Sequence, residues 1–185
     1  MASMTPSDHP DLAGPGGAAA LTRLYDSYAR EIHRYLARRL DTATADDLVA
    51  QTFLIAWEQR GDYRRDRASA RAWLYGIATN LFRRHARSEV RALRAMERQG
   101  VASHSDPTAL VAGRIDAARE AQRIAGAIAG LRDEERDVLL LVAWADLGPT
   151  EVADALGVKV ATVRTRLHRA RTALRGHLSK EDSDV

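Results

Sequence analysis

Apolar residues recur every three or four positions along most of this chain, the spacing that lines one face of a helix. Leu21, Leu24, Tyr28, Ile32, Tyr35, Leu36 and Leu40 form a first stripe that begins near Ala18. "DTAT" interrupts it, and Thr44 with Asp47 three residues on predicts a capping box for a second helix. That helix turns Leu48, Val49, Phe53, Ala56 and Trp57 inward. After "GDYRRDRAS" a long helix is predicted from about Ala70 towards Gln99, apolar at Trp73, Leu74, Ile77, Ala78 and Leu81 and mostly basic beyond. Trp57, Trp73 and Trp144 all lie on apolar faces and are read as core. No segment alternates with the two-residue period of a strand, so the fold class is all-α.

Punctuation divides the helices into two small domains. Residues 1–17, rich in Pro, Gly, Ser and Asp, are expected to be a disordered tail. Residues 18–100 form the first helical module, and 101–117, "VASHSDPTALVAGRIDA", read as a flexible linker. A second module follows over 118–178, and 179–185 make an acidic tail.

Within the second module, "GPTEVADALGVKVATVRTRLHRAR" has the build of a helix-turn-helix. Pro149 suits a first helical position, where its missing N–H is no loss. Val152, Ala153 and Leu156 face inward, and Gly157 supplies the turn. A second helix from about Val160 carries Val160, Val163, Leu167, Ala170 and Leu174 as its buried stripe. Such a helix fits a DNA major groove. Lys159, Ala161, Thr162, Arg164, Thr165 and His168 are placed to reach base edges, and Arg166, Arg169 and Arg171 to hold phosphates.

Charge sharpens this picture. The net charge is only +3, yet no acidic residue occurs from Ala155 to Ser179, and a second basic stretch runs from Arg60 to Arg98. Two basic zones on a nearly neutral chain of 185 residues imply two contacts with a polyanion. In the loop before the long helix, Tyr63, Arg64, Arg65 and Arg67 suit stacking and phosphate contact with an unpaired strand. Arg71, Arg83, Arg84 and Arg87, with Asn80 on the same helix, suit the neighbouring backbone. There is no cysteine, the six histidines have no ligand spacing, and no nucleophile–base pair or cofactor motif occurs. Catalysis, a metal, a cofactor and a small-molecule substrate are therefore not expected. No apolar run is long enough to span a membrane, and the start lacks a signal-peptide pattern, so a cytoplasmic protein is expected.

Three segments, "DDLVAQTFLIAWEQR", "ARAWLYGIATNLFRRHAR" and "LRDEERDVLLLVAWADLGPTEVADALGVKVATVRTRLHRAR", together resemble the extracytoplasmic-function (ECF) group of bacterial RNA polymerase sigma factors. The resemblance runs from about Ala18 to Leu178. It implies that the first module is sigma region 2 and the second region 4. It also implies that Asp47, Leu48, Gln51, Thr52, Ile55 and Glu58 meet the clamp helices of the polymerase β′ subunit. The loop at 61–69 and the helix after it would read and open the promoter −10 element. The helix-turn-helix would read the −35 element near the β flap, and an anti-sigma factor is an expected partner. Ala50-Gln51 stands where Gln-Glu is common, Gly148-Pro149 replaces a common Ser-aromatic pair, and Lys159 and Ala161 stand where Pro and Gly are frequent. Fully extended, the linker spans at most about 55–60 Å, and sites one and a half DNA turns apart lie about 50–55 Å from one another. The helix-turn-helix alone also fits a stand-alone regulator with a helical dimerisation or sensing domain, and the helices alone fit an interaction protein without a DNA role.

Overall fold

The computed structural model describes residues 9–98 and 123–181. The expected linker at 101–117, the start of the second module at 118–122, residues 1–8 of the tail and most of the acidic tail lie outside the described residues. Among the described residues the regular structure is helical: α1 (Gly17–Ala37), α2 (Thr42–Glu58), α3 (Ala70–Arg98), α4 (Asp133–Trp144), α5 (Pro149–Leu156) and α6 (Val160–Glu181). A further helical stretch covers 123–129.

The first module packs α1, α2 and α3 around Leu24, Ile32, Leu36, Leu48, Phe53, Leu74 and Tyr75, all buried. Tyr35 and Tyr75 meet edge to face at 5.3 Å, and the Tyr35 hydroxyl shares a hydrogen bond with the Thr79 hydroxyl at 3.1 Å. A buried hydroxyl thereby keeps a partner, as it must.

The cap of α2 differs from the sequence reading. The helix opens at Thr42, and Asp41 is its N-cap, accepting from the Thr44 N–H at 3.0 Å and the Thr44 hydroxyl at 2.7 Å. Thr44 lies one turn inside and serves as donor rather than cap. These bonds favour the charged carboxylate and hold Asp41 below its ordinary value.

The tail is also shorter than composition suggests. Leu12 is only 2% exposed and belongs to the core. Asp11 folds the chain behind it, accepting from the N–H groups of Ala13 and Gly14. This local turn sets residues 9–16 against the start of α1, so the disordered reading fails over that stretch. The tryptophans depart from expectation too. Trp57 is 36% exposed, and Trp73 and Trp144 are half-buried at the edges of the core.

In the second module α4 opens with Asp133, Glu134 and Glu135, acids that favour a helix N-terminus. Arg136 donates to the carbonyls of Ile128, Ala129 and Leu131, at and just past the end of the preceding helical stretch. Pro149 takes the first position of α5, and Glu151 accepts from the Gly148 N–H at 2.9 Å. Gly157 ends α5 at φ 65°, the left-handed backbone that a glycine adopts without steric penalty. Val138, Leu141, Leu147, Val152, Val163 and Ala170 close the core beneath the turn.

The two modules touch. Helix α5 packs on α3, and Gly76 lies against the Ala155 backbone so closely that a Cβ there would run into the Ala155 carbonyl oxygen. A glycine inside a helix costs roughly 0.5–1 kcal/mol relative to alanine. The close approach of α5 is the reason for one at this position.

Candidate nucleic-acid and polymerase interface

Helix α6 packs against α4 and α5 through Val163, Leu167 and Ala170. Of the residues predicted to meet DNA, Lys159, Ala161, Arg164, Thr165, His168, Arg169 and Arg171 are exposed, while Thr162 and Arg166 are half-buried. The Thr165 hydroxyl donates back to the Ala161 carbonyl at 3.0 Å. Together these residues make an outer face that carries Arg and Lys and no acid.

The loop at 61–69 is tied at both ends. The Tyr63 hydroxyl donates to the Ala68 carbonyl at 3.1 Å, and its ring lies 4.9 Å from that of Trp73. Ser69 caps α3 by accepting from the Ala72 N–H. Arg64, Arg65 and Arg67 remain exposed between these ties. On α3, Asn80, Arg84 and Arg87 are exposed at spacings of four and three, on one side of the helix.

Arg71 and Arg83 are placed differently from the expected backbone-binding role. Arg71 donates to Glu31 at 3.3 Å and to the Ala145 carbonyl at 2.6 Å, and lies 4.0 Å from Glu151. Arg83 pairs with Asp137 at 2.5 Å. Both arginines of the first module are thus engaged by the second. Burial outweighs the attraction of Arg83 and Arg39 and holds the Asp137 carboxyl above its ordinary range.

On α2 the predicted polymerase-facing residues divide. Asp47, Gln51 and Glu58 are exposed along one face and Ile55 is half-buried. Leu48 and Thr52 point the other way, 5% and 0% exposed, and Thr52 donates to the Leu48 carbonyl. As surface contacts these two are corrected: their helical phase is that of the core. Leu54, absent from the sequence reading, shares the face of Gln51 and Glu58 at 56% exposure. Trp57 lies beside it under the Arg60 guanidinium, and Tyr25 of α1 stands exposed with its ring 4.9 Å from Phe53. The signal for Leu54 was its spacing, three residues past Gln51.

Comparison with known proteins places this arrangement. Residues 24–100 match Sigma-70 region 2, and residues 121–174 match Sigma-70, region 4. The ECF RNA polymerase sigma factor SigL of Mycobacterium tuberculosis is 34% identical over 170 residues, 88% of this chain and 91% of the relative.

This chain belongs to the ECF sigma factors.

The RNA polymerase sigma factor YlaC of Bacillus subtilis is 30% identical over 162 residues, 85% of this chain and 91% of that one. A solved structure of CnrH in complex with the cytosolic domain of CnrY has 26% identity and a TM-score of 0.59, covering 89% of this chain and 91% of that chain. The sigma factor RpoE of Bartonella quintana, solved with the anti-sigma factor NepR, shares the fold, with a TM-score of 0.60, 20% identity, and coverage of 85% and 96%. A region 2 match over the first module leaves a stand-alone regulator with a sensing or dimerisation domain unsupported. Sigma factors bind core RNA polymerase and promoter DNA, and this one carries both modules for it. Among the described residues no helix is long and apolar enough to cross a membrane.

Proposed function

We propose that this ECF sigma factor divides its work among three surfaces. The exposed face of α2, with Asp47, Gln51, Glu58 and the flanking Leu54 and Trp57, docks on the β′ clamp helices. The loop at 61–69 with Asn80, Arg84 and Arg87 binds the opened −10 strand. The outer face of α6 reads the −35 element while the second module meets the β flap. What carries this assignment is the outer face of α6 over 161–171, which bears arginines and no acid and stands clear of the helices that pack beneath it.

Opening the −10 element requires unstacking bases, at a cost of a few kcal/mol that stacking and phosphate contacts offset. Sigma factors direct initiation without a chemical step of their own, so the work here is positioning in the compartment that holds the polymerase. CnrH was solved with the cytosolic domain of CnrY, and that likeness supports an anti-sigma factor as a further partner. Run-off transcription from genomic fragments, with core polymerase alone and with this protein added, tests the assignment. Discrete transcripts that need the protein are expected. Identical products in both reactions would overturn it.

A further inference from the structure

We propose that Trp73 and Tyr63 form a strut that positions the arginines of the loop at 61–69 for the unpaired −10 strand, with Trp73 acting on DNA through the loop and not by touching it. The proposal rests on the assignment of that loop to the −10 element given above, and adds to it a positioning residue that lies outside the loop.

Three ties hold the loop. Its backbone makes a single turn, in which the Arg64 carbonyl accepts from the N–H groups of Arg67 and Ala68 at 3.0 and 3.1 Å. The Tyr63 hydroxyl spans the same turn by donating to the Ala68 carbonyl at 3.1 Å. The Tyr63 ring then lies 4.9 Å from the Trp73 ring with 33° between their planes, within the range of favourable aromatic pairs. Trp73 is itself fixed. It sits in the first turn of α3, its N–H donates to the Ser69 carbonyl at 3.0 Å, and its side chain packs on the core of the first module. A rigid helix therefore holds the loop by a side chain as well as by the chain itself.

What the strut holds in place is charge. Arg64, Arg65 and Arg67 are exposed and have no ion-pair partner among the described residues. Three guanidinium groups within four positions repel one another, and a loop that must be ordered on binding loses affinity to that ordering. A turn closed before the strand arrives avoids part of the loss. Tyr63, expected from the sequence to stack on a base, has its hydroxyl inside the loop and its ring beside Trp73, so its part is to frame the turn. Trp73 is not placed as a residue of the core alone. Its neighbours Leu74 and Tyr75 are 0% and 1% exposed, whereas Trp73 is half-buried at the edge where Tyr63 meets it.

Closure of the loop is read with trypsin, which cleaves after arginine where the chain opens. Cleavage after Arg64, Arg65 and Arg67 in the full-length protein, assigned by mass, tracks the open population. Tyr63→Phe removes the hydroxyl tie alone and should speed this cleavage about two- to tenfold. Trp73→Leu should do at least as much, and Trp73→Phe, which keeps a ring, should return the rate towards wild type. Tyr63→Phe leaves both rings in place, so it decides the question if Trp73→Leu folds poorly. Binding is read with a short mixed-sequence single-stranded DNA. Replacing Arg64, Arg65 and Arg67 together by alanine should lower the slope of log affinity against log salt by about 2, since each phosphate contact contributes about 0.7. Trp73→Leu should lower it by about 0.7 or more, and Trp73→Phe should restore it. Wild-type cleavage in Tyr63→Phe would overturn the strut. So would faster cleavage in Trp73→Leu with an unchanged salt slope, the mark of a ring that serves the fold alone. An unchanged slope in the triple variant would instead overturn the assignment of the loop to DNA, and the strut's role with it.

Discussion

Tyr35 and Tyr75 sit at the centre of the first module with their hydroxyls shielded from water, and burial raises both above the ordinary tyrosine value. Tyr75 is pushed up to about 12 from 10.0. A raised value means that the folded form keeps its proton where the unfolded chain has lost it. The stabilisation is therefore complete below pH 10 and is lost as pH rises through about 12. For Tyr75 alone the loss is on the order of 2–3 kcal/mol. Melting temperature should fall steeply across that window, and Tyr75→Phe should flatten the fall. That Tyr35 is core was legible from its spacing in the first helical stripe, whereas Tyr75 stood outside the stripe read for α3 and its burial was not. The cap of α2 was not, because Asp41 and Thr44 are both good capping residues three positions apart, and only geometry shows which one donates. Trp57 was misread for a related reason: its position borders the apolar face of α2, and spacing alone does not tell a border from a centre.

At the level of elements, α3, α5 and α6 were legible because their stripes are long or their ends are marked by Pro149 and Gly157. Residues 9–16 were not. Their Pro and Gly content reads as disorder, and one buried leucine held by an Asp11 turn leaves no periodic trace. The phase of a helix also decides its function. Arg164 is exposed one residue past the buried Val163, near the N-terminal end of α6, where recognition helices meet base edges. Arg164→Ala should weaken binding to a −35 duplex by about 1–3 kcal/mol and relax base preference at one position. Titration against duplexes differing at single positions measures this. An equal loss on every sequence, with a smaller salt dependence, would assign Arg164 to phosphate instead. The same logic corrected Leu48 and Thr52, whose phase on α2 is that of Val49 and Phe53 rather than of Asp47.

For the whole molecule, the sequence pattern showed two modules but not their contact. Amphipathic spacing tells which face of a helix is buried and not what covers it. The Gly76 contact is with a backbone carbonyl, which no side-chain pattern records. Arg71 and Arg83 look in sequence like phosphate ligands, and here they are held by the second module. The contact carries its own pH dependence. Asp137 faces Arg83 of α3, Arg39 after α1 and Asp133 of its own helix, and burial keeps its carboxyl above the ordinary value of 3.8. The folded protein thus binds a proton at this group more readily than the unfolded chain does. Its stabilisation from this group is full below 3.8 and is lost as pH rises through the raised value. Melting temperature should therefore gain a contribution from this group on acidification, and Asp137→Asn should remove that part of the response. Leu12 has a plainer consequence at the opposite end of the molecule. Because this side chain joins the core before the first helix has begun, a fragment started at the helix itself would leave an apolar hole in the wall. The smallest self-sufficient piece of the first module must begin upstream of Asp11.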